Sequence, residues 1–199
     1  MPLTHGLAFS WLGQVLWRKA CAEDAEAADT HLTNGIVEIL QREEWDVARN
    51  MSEFGVTCAK PHNDRNKTLL RVNHAQALLW AGRKKEALDF LNKFDWSATI
   101  RDFQLAVAVL REDYEAAGEL MRKIGEQGEI VVCAGYIDWP IFREFRKSEQ
   151  FRKAFKDVYN VQFEDEATQE LKVLADKSSL KTAKRKKAKK NKKAKKKVS

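Results

Sequence analysis

The chain has 199 residues, with 36 Lys and Arg against 29 Asp and Glu, a length that supports one folded domain of ordinary size. Three scattered cysteines, Cys21, Cys58 and Cys133, argue against a disulfide framework and make a reducing, cytoplasmic setting the expectation. The net charge of +7 is divided: residues 177–199 hold 13 basic residues and no acid, leaving 23 basic against 29 acidic in positions 1–176, so the basicity belongs to the tail and not to the body.

Leu3, Leu7, Trp11, Leu12, Val15 and Leu16 fall at helical spacing and predict an amphipathic N-terminal helix to about Ala22, extendable to Ala28. The run is too short and interrupted for a bilayer, so no transmembrane segment is expected. Thr30 or Thr33 can cap a second helix bearing Ile36, Val37, Ile39 and Leu40, faced by one bearing Trp45, Val47, Met51 and Phe54. Pro61, Asn63 and Asp64 mark a loop over 55–66.

A second hairpin is expected over 67–94. Ala75 and Ala77 allow close approach of a neighbouring helix, Leu78, Leu79, Leu88 and Leu91 supply apolar faces, and Gly82 can take positive φ to reverse the chain. A third hairpin carries Ile100, Phe103, Leu105, Val107 and Leu110, then Leu120, Met121 and Ile124 after a turn at Glu112. The apolar run 130–134 has strand-like composition, but its place after regular hairpins favours a helix. Phe142, Phe145, Phe151 and Phe155 can cover the exposed end of the last hairpin, and 164–175 predicts a final helix.

Asn73, Ala75, Ala77, Gly82, Glu86 and Ala87 stand at the relative spacing of the Asn, small, small, turn-Gly, Glu and Ala positions of tetratricopeptide repeats, which this stretch resembles. The segments at Glu43-Glu44-Trp45-Asp46-Val47-Ala48 and Glu112-Asp113-Tyr114-Glu115-Ala116-Ala117 resemble the turn and second-helix start of the same unit. Glu stands where the turn glycine is expected in both, so those turns must close by other means. Phe142, Arg146 and Phe151 resemble the element that ends many such proteins. The resemblance implies an all-α αα-hairpin solenoid of about three to four helix pairs that binds a protein or peptide, with Val72, Gln76, Leu79 and Trp80 as groove positions; inter-repeat packing is the competing role for Trp80. The expected organisation is an N-terminal helix over 1–30 packed on repeats and a capping helix over 31–160, a terminal helix over 161–176, and a disordered tail over 177–199.

Common nucleotide, zinc-protease and hydrolase signatures are absent, and no enzyme activity or cofactor is expected. Cys58 and His62 have ligand-like spacing, but nothing completes a four-ligand set, so no metal site is expected. His74 lies between apolar neighbours and reads as a packing histidine. The tail presents Lys184, Arg185, Lys186, Lys187, Lys189, Lys190, Lys192, Lys193, Lys195, Lys196 and Lys197 as polyanion-binding residues: such a sequence cannot form a core, and each cation adds sequence-independent affinity for RNA, DNA, a ribosome or anionic lipid. The cluster at 184–187 also resembles a nuclear-localisation run in a eukaryote, and contact with the acidic body is the alternative use of the tail. These readings converge on a non-enzymatic adaptor. An RNA- or ribosome-associated protein driven by the tail, and a regulatory subunit of an enzyme complex, are the alternatives.

Overall fold

Alternating apolar and polar positions at a 3.6-residue period should leave each helix with one face to bury, and the fold is the solution to that requirement. The computed structural model describes residues 5–59 and 61–164, with side-chain surroundings from Leu16 onward. The apolar face at Leu3 to Val15, most of the helix expected over 164–175, and the tail lysines lie outside that description. The described residues are all-α: α1 His5–Gln41, α2 Trp45–Phe54, α3 Asp64–Trp80, α4 Lys84–Leu91, α5 Arg101–Leu110, α6 Tyr114–Ile124, α7 Cys133–Asp138 and α8 Glu149–Tyr159. None of these described helices is long and apolar enough to cross a membrane.

The first break falls at Asp24, not at the threonines. Asp24 is extended, at φ −156° and ψ 100°, and divides α1 into two arms. Its Oδ1 accepts from the Ala27 N–H at 3.0 Å and so caps the second arm. Thr30 and Thr33 lie inside that arm, where their hydroxyls donate to carbonyls three or four residues back. The loop expected over 55–66 is also shorter. After α2 the chain continues through a π-helical turn, Gly55–Ala59, and α3 starts at Asp64 behind an Asn63 cap whose side chain accepts from the Asn66 N–H at 2.7 Å.

The three hairpins α1–α2, α3–α4 and α5–α6 close in the same way. Glu43, Gly82 and Glu112 have φ of 62°, 77° and 61°, in the left-handed region. In each turn the N–H of that residue donates three residues back (to Leu40, Leu79 and Val109). The next N–H donates five back, to Ile39, Leu78 and Ala108. This paired pattern is the Schellman motif, which satisfies carbonyls orphaned at a helix end. Five residues beyond each left-handed residue stands an alanine, Ala48, Ala87 or Ala117, at 2% exposure or less. With only a methyl at that point, the two helices of the hairpin can approach closely.

Helix α3 is central, packing against α1, α2, α4 and α5. Leu32, Ile36, Leu40, Ala48, Leu70 and Ala77 form a core between the first two hairpins. Loops are tied down by buried carboxylates. Asp29 accepts from the His62 N–H at 2.7 Å, and Asp102 Oδ1 accepts from the Ile130 and Val131 N–H groups at 2.9 and 2.7 Å. This second anchor explains why Ile130 and Val131 lie in a loop, since both backbone donors go to one side chain, while Val132 makes an isolated antiparallel bridge with Gln127. Helix α7 begins only at Cys133.

The C-terminal aromatics cover α6 through α8. Phe142, Phe145 and Phe151 are fully buried and Phe155 nearly so; each such ring contributes about 2–3 kcal/mol relative to exposure. Arg146 donates to the carbonyls of Tyr136 and Trp139 at 3.0 and 3.2 Å, which fixes the path of the segment between α7 and α8. The described residues up to Val161 form one compact unit.

Candidate functional site

Helical geometry puts Val72, Asn73, Gln76, Leu79 and Trp80 on adjoining strips of α3, since residues three, four and seven apart share a face. Val72 and Gln76 are fully buried, whereas Leu79 and Trp80 are half-buried. Of the four expected groove positions, only the two at the C-terminal end of the helix reach the surface. Asn73 and Gln76 are both at 0% exposure, and neither side-chain amide has a hydrogen-bond partner among the described residues. A buried amide left unpaired costs about 1–3 kcal/mol, so this pair is an energetic weak point in the middle of α3.

The chain's own C-terminal segment lies beside this face. The 3₁₀ turn Pro140–Phe142 packs against both α1 and α5, the two helices that flank α3. Beyond it, Arg143 reaches the first two hairpins. Its guanidinium sits 4.7 Å from the centre of the Trp80 ring and 5.7 Å from that of Trp45, and Nη1 donates to Glu43 Oε1 at 2.6 Å. Trp45 and Trp80 meet edge to face at 4.9 Å. Phe145 then contacts Tyr114, the first residue of α6, at 5.5 Å between ring centres. The segment therefore touches the turn end of every hairpin.

On another face of α3, His74 is buried against Phe90, with Nδ1 3.0 Å from Ser52 Oγ. Ser52 Oγ is also 3.0 Å from the Arg49 carbonyl. A neutral imidazole donating to the hydroxyl, which donates to the carbonyl, satisfies all three groups. Burial pulls the His74 pKa down to about 4, assisted by the nearby Arg49, Arg83 and Lys93 and opposed by Glu53. A shallow pocket of about 240 Å³ opens beside it, lined by Glu53, Arg83, Glu86 and Lys93 among others. Ser52 itself is fully buried, so the pair offers no accessible nucleophile.

Cys58 is half-buried, and His62 lies 3.5 Å from the Asp29 carboxylate; no group of three or more potential metal ligands comes together among the described residues. The role of Arg143 and Glu43 has no local signature in the sequence, because they are 100 residues apart and meet only through the fold. Asn73 was visible only as part of the repeat-like spacing. No family model, curated protein or solved structure matches the chain.

Proposed function

We propose that this protein is a non-enzymatic adaptor: a tetratricopeptide-like solenoid of three helical hairpins that binds a protein or peptide, with a lysine-rich tail that adds contact to a polyanion. The observation that carries this reading is the recurrence of one turn. Three hairpins with left-handed residues at Glu43, Gly82 and Glu112 and with buried Ala48, Ala87 and Ala117 behave as copies of one unit. Units of that kind stack side by side and offer a continuous surface in place of a single enclosed cavity. Of the expected groove positions Leu79 and Trp80 keep surface exposure and support this reading, whereas Val72 and Gln76 are fully buried and lend it nothing.

The tail supports a second reading, an RNA- or ribosome-associated protein in which the helical body organises a polycation. Residues 177–199 carry 13 positive charges with no acid among them. Affinity pull-down with full-length and tailless chain, with and without nuclease treatment of the lysate, separates the two. Partners retained by the tailless chain after nuclease support the adaptor; loss of every partner under either condition supports the tail-driven reading.

A further inference from the structure

The Asp102 carboxylate is buried without a counter-charge. The residue is 3% exposed, and its hydrogen-bond partners among the described residues are the Ile130 and Val131 N–H groups, both on Oδ1. Oδ2 accepts from none of the described residues, yet it is not sealed in the core. Loop backbone closes the Oδ1 side so tightly that a Cβ at Gly128 would collide with that oxygen. Oδ2 is left to an open pocket of about 440 Å³ between the start of α5 and the loop after α6, which Asp102 lines together with Ile100, Gln104, Ile124 and Glu129. Buried carboxylates are ordinarily paired with a cation or bound to a metal. We infer that this pocket is a binding site for a small organic amine, whose ammonium group supplies the missing counter-charge to Asp102 Oδ2. The inference is independent of the adaptor reading.

The rest of the lining fits that chemistry. Gln104 commits its Nε2 to the carbonyls of Ser97 and Thr99 at 3.1 and 2.8 Å, so what it has left to offer is its amide oxygen, a second acceptor for an ammonium N–H. Glu129 adds negative charge at the rim, and Ile100 and Ile124 give a short alkyl stem apolar walls. An anion is disfavoured. It would meet two carboxylates, while Arg101, the single cation of the lining, is exposed and points Nη1 at the Lys123 carbonyl, 3.3 Å away. The positive end of the α5 dipole is already met by Asp102 itself, an acid in the first turn. A metal ion would lack donors, because no three His, Cys, Asp or Glu side chains converge among the described residues.

The test uses the full-length chain, isotope-labelled for amide NMR and titrated with n-butylammonium chloride. The Ile130 and Val131 N–H resonances are the readout, because both groups bond to the other oxygen of the same carboxylate. Their shifts should saturate with a dissociation constant on the order of 1 mM, the scale for a ligand of about five non-hydrogen atoms. n-Butanol keeps the stem and loses the charge, and tetramethylammonium keeps the charge and loses the N–H donors; each should bind about tenfold more weakly. Asp102→Asn keeps an oxygen for the loop and turns an N–H donor toward the pocket, so saturation should disappear while the helical circular-dichroism signal stays. If that variant unfolds, the two control solutes on the unaltered chain decide the claim. Butylammonium shifts no larger than those from sodium chloride at equal ionic strength would overturn the inference, as would equal affinity for n-butanol or undiminished binding by folded Asp102→Asn.

Discussion

Glycine and alanine should exchange their usual ranking at position 112. At an exposed position in the interior of a helix, such as Glu119 of α6, glycine is less stable than alanine by about 1 kcal/mol, because it loses more backbone entropy on folding. Residue 112 has φ 61°, where an L side chain crowds the following carbonyl at a cost of about 1–2 kcal/mol. Removing the Cβ recovers that strain and outweighs the entropy. Comparing Glu112→Gly with Glu112→Ala also cancels the ion pair to Lys84, at 2.6 Å and about half exposed, since both substitutions delete it. The expected difference is about 1 kcal/mol in favour of glycine at 112, and about 1 kcal/mol in favour of alanine at 119. At Gly82 a Cβ would meet nothing within 4 Å, so the cost of Gly82→Ala, again about 1 kcal/mol, is conformational alone. Urea denaturation of the four substitutions at 112 and 119 reads the effect directly. Alanine equal to or better than glycine at 112 would refute the claim that this turn requires a left-handed residue.

Stability should rise with pH through the His74 transition. The folded pKa of about 4 lies below the ordinary histidine value, so the unfolded chain binds the extra proton first; the contribution is complete above about pH 6.5 and is lost as pH falls toward 4. The full term is at most about 3 kcal/mol, and the difference in pH dependence between the unaltered chain and His74→Gln isolates it from carboxylate titration. An identical pH profile in both would show that His74 does not titrate across folding. Asp102→Ala should cost about 2–4 kcal/mol, since two backbone donors lose their acceptor, while Asp102→Asn keeps one oxygen and should cost less. Hydrogen exchange would show the loss as faster exchange at Ile130 and Val131; unchanged protection there would rule the anchor out.

The helices and their pairing were legible because each rests on local, periodic information: Ala75, Leu78 and Leu79 on α3, or Phe103, Val107 and Leu110 on α5. The positions of Glu43 and Glu112 as turns were equally legible from the bulky residue, acid and alanine that follow them. Their left-handed backbone was not, because glutamate has no propensity for it. The close approach at Ala48 and Ala117 is a tertiary demand that overrides local preference. The Asp24 break was missed because two threonines further on look like equally good caps, and only packing decides where an arm begins. The candidate groove was harder to read for the same reason. Val72 and Gln76 share a helix face with Trp80, but their complete burial depends on elements far away in sequence. So does the Arg143 contact, whose residues are separated by most of the body.

The division of labour between an acidic helical body and a basic tail is tested most directly by filter binding of a single-stranded RNA probe to the full-length chain and to a chain ending at residue 176, across a salt series. If roughly 6–10 tail cations engage phosphates, full-length affinity should fall by about 10³–10⁵ between 50 and 200 mM salt, with little dependence on probe sequence. The tailless chain, with 23 basic residues against 29 acidic ones, should retain almost no binding while keeping its helical circular-dichroism signal. Undiminished RNA affinity in the tailless chain, or a strong preference for one probe sequence, would contradict the account and place recognition of nucleic acid in the helical body.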